Sequence, residues 1–141
     1  YSIAYALIHC KVRSIRIENR SAYNKANLIN WIDNQFENKT GFDPNVIINC
    51  TPLGMWPNVN AIPTEEHINE SDIAIETIYN PEVTTWLKNC TNRGAKTVSG
   101  LDMFIGQAIA SIEIWLSTSI EKKINIKKIK NTLKAELCLQ E

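Results

Sequence analysis

The chain has 141 residues, 44% hydrophobic and 21% charged, a length and balance that suit one globular domain able to bury a real core. Fifteen basic and fifteen acidic residues cancel, so no net field favours nucleic acid or an anionic membrane surface. The longest apolar run, residues 3–8, is far too short to span a bilayer.

Residues 1–10 carry apolar positions on most faces, which predicts a helix buried against a sheet. Residues 12–18 set Val12, Ile15 and Ile17 among Arg13 and Arg16, and read as a short strand. Helical spacing returns over 22–38, where Ala26, Leu28, Ile29, Ile32 and Phe36 form one face and Ser21 is the expected N-cap. Gly41 and Pro44 punctuate, and residues 46–48 make a buried strand. A polar, Pro-containing loop is expected from Thr51 to about Asn69.

The next strand covers 73–78 and is ended by Tyr79-Asn80-Pro81; a helix over 82–93 stops at Gly94. Residues 96–98 give a short last strand and 101–117 a long helix. Ile126, Ile129, Leu133 and Leu137 mark a Lys-rich amphipathic terminal helix, whose lysines are expected to form a solvated face. Alternation of this kind predicts an α/β, Rossmann-like, mostly parallel sheet flanked by helices. The pattern starts on a helix where a βαβ unit should start on a strand, so the first strand is expected to be missing. The chain does not begin with Met and opens inside a helical pattern, which points to a piece of a longer protein. No basic region followed by an apolar run marks a signal peptide, and a cytoplasmic location is expected.

Cys10, Cys50, Cys90 and Cys138 are widely spaced and form no CxxC pair. With His9 and His67 the only imidazoles, neither a metal site nor a thiol–imidazole pair is expected, and the cysteines read as reduced. Two loops carry the chemistry instead. Asn49-Cys50-Thr51-Pro52-Leu53-Gly54-Met55 and Ser99-Gly100-Leu101-Asp102-Met103-Phe104-Ile105-Gly106-Gln107 each follow a strand, at the carboxyl edge where α/β sheets hold ligands. Asn19 and Arg20 fall at the end of the 12–18 segment, about where dinucleotide-binding folds choose between NAD and NADP. A planar, five-donor guanidinium suits a phosphate there.

These motifs, in this order, resemble the carboxyl-terminal cofactor domain of the shikimate dehydrogenases. Ile3-Ala4-Tyr5-Ala6-Leu7 resembles the helix that follows the family's glycine-rich loop. Asn19-Arg20-Ser21 resembles its Asn-Arg-Thr, and residues 49–55 its Asn-Ala-Thr-Pro-Leu-Gly-Met. Tyr79-Asn80-Pro81 with Gly100-Leu101-x-Met103-x-x-x-Gln107 resembles its closing signature.

The resemblance implies NADP-dependent interconversion of 3-dehydroshikimate and shikimate by the parent protein. It implies cofactor contacts from Asn19, Arg20, Ser21, Lys25, Asn49, Thr51, Gly100 and Met103, and substrate contacts from Tyr79 and Gln107. Glu18 keeps an NAD-dependent quinate or shikimate dehydrogenase open, because a carboxylate there suits a free ribose hydroxyl and repels a phosphate. Glu76 stands where the family more often has Asp. No catalytic role falls to Asp102, and the family's catalytic Lys–Asp pair belongs to an amino-terminal substrate domain with no counterpart here. The expected division is a truncated NADP-binding domain over 1–117 and a terminal helix over 118–141 that packs toward that domain. The chain by itself is then expected to be inactive, and a non-catalytic remnant of the fold is the alternative from another class.

Overall fold

A computed structural model describes residues 1–37, 45–63 and 68–138. The chain separates into two compact units, Tyr1–Pro44 and Asn45–Glu141. The terminal helix, Ile126–Cys138, belongs to the second unit.

The first unit holds helices α1 (Ser2–His9) and α2 (Ala22–Asp33). Ser21 caps α2 as expected, its Oγ accepting from the Asn24 amide at 3.2 Å. Ala4, Ile15 and Ile32 are buried, with Leu7, Ile8, Val12, Ile17, Leu28, Trp31 and Phe36 packed around them. Trp31 joins this face and Ala26 is exposed, a shift within the face expected for α2. The 12–18 segment contributes three of these apolar side chains, yet it is not a strand. Its alternation buries one side, but a strand also needs a neighbour for its backbone groups. Among the described residues no strand pairs with it.

The second unit contains a three-stranded parallel sheet in the order β1-β2-β3, from β1 (Val46–Asn49), β2 (Ile73–Glu76) and β3 (Lys96–Val98). The parallel sheet of a Rossmann-like fold was legible from the alternation of elements. Helix α3 (Thr85–Asn92) crosses from β2 to β3, α4 (Gly100–Leu116) follows β3, and α5 (Ile126–Cys138) closes the described chain after a 3-10 turn at Glu121–Lys123. The core is Ile68, Ala74, Trp86, Leu87, Cys90 and Ala95, with Ile47 and Ile62 against it. Helix α3 starts three residues later than its sequence pattern because Thr84, not Pro81, supplies the cap: its Oγ1 accepts from the Leu87 amide at 3.2 Å.

Helix α5 is tied to the rest of its unit by charge. Lys130 pairs with Asp102 in the first turn of α4, and Lys134 pairs with Glu82 in the loop before α3. Two lysines expected to face solvent therefore act as fastenings.

Candidate functional site

The carboxyl ends of β1 and β2 place Asn49 beside Glu76, because the parallel register pairs these two residues at the last step of the ladder. Side chains two apart on a strand share a face, so Glu76 follows Ala74 toward the core. Both are sealed: Asn49 is 2% exposed, and Glu76 and Thr84 are each 0% exposed. A buried carboxyl is costly without partners. Glu76 has four. Its Oε1 accepts from the amides of Thr77 (2.9 Å) and Ile78 (3.1 Å), and its Oε2 from Asn49 Nδ2 (3.1 Å) and Thr84 Oγ1 (2.8 Å).

Asn49 passes this order into the loop. Its Oδ1 accepts from the Thr51 amide and hydroxyl, at 2.9 and 2.7 Å, while Nδ2 also donates to the Leu53 carbonyl at 3.2 Å. Thr51 Oγ1 in turn accepts from the Leu53 amide at 3.2 Å. The Met55 amide closes a turn onto the Pro52 carbonyl (3.1 Å), with Gly54 at φ 104° in the position where a type II turn needs positive φ. The Asn49 side chain thus has both donors and both acceptor directions engaged inside the chain. These bonds shape the 49–55 loop.

Tyr79 follows directly on the two amides held by Glu76. It is 44% exposed and lies against Phe104 of α4, ring centroids 5.0 Å apart. Gln107 is one turn further along α4, exposed, with Nε2 donating to the Phe104 carbonyl at 3.0 Å. Its Oε1 has no polar partner among the described residues, and an amide of this kind can both donate to and accept from a hydroxylated ligand. Met103 is exposed beside Phe104. Gly100 is buried, and a Cβ there would fall 2.0 Å from the Ile78 carbonyl oxygen. The glycine is required by the close approach of α4 to the segment carrying Tyr79. That side of Gly100 is filled by the chain's own backbone.

Asp102 accepts from Ser99 Oγ at 2.8 Å and from Lys130. Partial burial pushes its carboxyl up, but the hydrogen bonds from Lys130 and Ser99 outweigh this and hold it below the ordinary carboxylate range. An acid tied in this way fastens α4 to α5.

In the first unit, Asn19 Oδ1 accepts from the Ser21 amide at 2.8 Å, so Asn19-Arg20-Ser21 forms a tight turn leading into the cap of α2. Arg20 is exposed and has no polar partner among the described residues. Lys25 is paired with Glu18 at 3.0 Å, so these two opposed charges partly neutralise each other. The structure therefore gathers Asn49, Thr51, Tyr79, Gly100, Met103 and Gln107 in one unit, and Asn19, Arg20, Ser21 and Lys25 in the other. Glu76 and Phe104 were named from sequence without a role in the site, and Thr84 was passed over. A lone acid in the strand Ile-Ala-Ile-Glu, on the same face as Ala74, was the available signal for the first of them.

No family model matches the chain. The NADP(+)-dependent shikimate dehydrogenase of Methanococcus aeolicus is 41% identical over 93 residues, which cover 64% of this chain and 32% of that protein. A crystal structure of a shikimate dehydrogenase in complex with NADP+ is similar with a TM-score of 0.56 at 35% identity, over 66% of this chain and 32% of that one. The chain is related to the shikimate dehydrogenases. It spans about a third of the length of these relatives. A ligand-free 5-ketofructose reductase of Gluconobacter is similar over 95% of this chain and 51% of its own, with a TM-score of 0.79 at 25% identity. The Rossmann-like architecture is thus common to dehydrogenase relatives of this shikimate dehydrogenase-like chain.

Proposed function

We propose that the protein carrying this chain is a shikimate dehydrogenase that interconverts 3-dehydroshikimate and shikimate with NADP, and that the chain is part of its cofactor domain. The observation that carries this reading is the arrangement at the carboxyl ends of β1 and β2. There one buried carboxyl, Glu76, binds both the Asn49 that clasps the 49–55 loop and the two amides before Tyr79, whose exposed ring lies against Phe104 near Gln107, in a chain related to that family.

In the second unit, the 49–55 loop and Met103 are assigned to the cofactor, and Tyr79 and Gln107 to the hydroxyls and carboxylate of the substrate. Gly100 is assigned to the cofactor side through the path it gives the backbone at the start of α4. In the first unit, Arg20 is the candidate for the cofactor's ribose phosphate, because it is exposed and no acid among the described residues neutralises it. Asn19 and Ser21 hold the turn that presents it, and Lys25, shared with Glu18, is the weaker contact. The cofactor when bound supplies hydride transfer; the residues named here bind and orient. Proton transfer is assigned to a Lys–Asp pair in an amino-terminal substrate domain, outside these 141 residues. The terminal helix α5 is assigned a role in packing toward that domain, and the location is cytoplasmic.

Exposed Glu18 favours a second reading, an NAD-dependent quinate or shikimate dehydrogenase. Its pairing with Lys25 weighs against this, since the carboxylate is already engaged.

Gln107→Ala in the full-length protein tests the substrate assignment. The KM for shikimate is expected to rise by about tenfold or more, as for loss of hydrogen bonds to a bound ligand, with the KM for NADP within about twofold. Equal rises for both ligands would mean that Gln107 only supports the helix.

A further inference from the structure

Among the described residues of the second unit, the Glu76 carboxyl is the one buried acid whose partners lie on three different segments: the end of β1, the residues before Tyr79, and the cap of α3. Hydrogen bonds that only end a strand would be made to its own neighbours. Here one oxygen is given to the Tyr79 side and the other to the loop and the helix. Asn49, bound to that second oxygen, has its remaining capacity spent on Thr51 and Leu53. The backbone adds a parallel tie, since Thr77 donates to the Asn49 carbonyl from its amide (3.3 Å) and its hydroxyl (2.7 Å).

We infer that Glu76 is a positioning residue, setting Tyr79 against the 49–55 loop through this shared carboxyl. A shift of either segment strains a bond at the other, in a sealed place where water cannot substitute for a lost partner. Glu76 is sealed from solvent. It acts through Tyr79 on one side and through Asn49 on the other. As a claim about shikimate turnover this rests on the proposed function; as a claim about the loop it does not.

Two measurements test it. The first uses the ligand-free 141-residue chain and Glu76→Gln, in which the new amide presents N–H groups to donors. Amide hydrogen exchange at Leu53, Thr77 and Ile78 is expected to rise together by about tenfold or more, the size of one lost buried bond, while Cys90 in the body of α3 stays protected. A rise at Thr77 and Ile78 with Leu53 unchanged overturns the coupling, whatever the protein turns out to catalyse.

The second measurement is a double-mutant cycle in the full-length enzyme with Tyr79→Phe. Glu76→Gln is expected to raise the KM for shikimate about tenfold when Tyr79 is present and no more than about twofold in the Tyr79→Phe background. The same fold-change in both backgrounds means a purely structural role and overturns the inference. If Glu76→Gln does not fold, Thr84→Val takes its place in the cycle, with the same outcomes and with Thr84→Ser expected to restore the wild-type KM. A wild-type enzyme inactive on shikimate defeats the proposed function alone, and the exchange measurement then decides the inference.

Discussion

Arg20 and Lys25 look alike in a list of basic residues but differ once their neighbours are placed. Lys25 spends its charge on Glu18, whereas Arg20 is exposed with no polar partner among the described residues. A free guanidinium can form two parallel bonds to a phosphate, a stronger contact than a point charge already shared with an acid. Arg20→Gln in the full-length protein is therefore expected to raise the KM for NADP roughly tenfold to a hundredfold, as for loss of a charged hydrogen bond, and to leave the KM for NAD nearly unchanged. Equal effects on both cofactors, read from initial rates, would remove the phosphate assignment. Asn49 gives the complementary lesson. Sequence marks it as a ligand-facing residue, but its polar atoms are all engaged within the chain. A side chain's hydrogen-bond capacity is finite, and only coordinates reveal where it is spent.

At the scale of elements, the cap of α2 and the stop of α3 were legible, while the Thr84 cap of α3 was not. Ser21 caps α2, and Gly94, at φ 86°, follows the end of α3. Turn and cap residues act on their immediate neighbours, so their signal survives in sequence. The 12–18 segment was not legible as strand or coil, because alternation reports burial on one side and says nothing of a ladder partner. The lysines of α5 were also opaque, since their acids lie in Asp102 and Glu82, far off in sequence.

That fastening predicts a pH response. Asp102 in the folded chain, despite the upward push of partial burial, lies below its ordinary value through Lys130 and Ser99. Glu113 lies below its own through the Glu121 and Ile120 amides and the Ser119 hydroxyl. A carboxyl depressed by folding stabilises above its unfolded pKa and loses that contribution as pH falls through the lower folded value. Protection of the α5 amides is therefore expected to fall as pH drops below the ordinary carboxylate range. Asp102→Asn should flatten the decline. An identical pH profile for the variant would show that the Lys130 contact does not hold the helix.

Over the whole molecule, fold class was the easiest property to read. Alternating elements fix a parallel sheet with helices around it, and relatives with the same architecture are found among the dehydrogenases. The boundary at Pro44 and Asn45 depends on where packing concentrates, as between the two clusters built around Ile32 and Trp86. Nothing local in sequence encodes that. Of the residues named from sequence, Arg20, Tyr79 and Gln107 are exposed, while the partners of the buried Glu76 carboxyl were not legible. Ligand-facing residues carry recognisable types in recognisable order. Supporting residues are identified by what they touch.

The most direct test of the proposed activity is an initial-rate assay of shikimate oxidation by the full-length protein with NADP and with NAD. Turnover of shikimate with NADP is expected, with a kcat/KM well above that with NAD. Absence of shikimate oxidation with either cofactor would contradict the assignment.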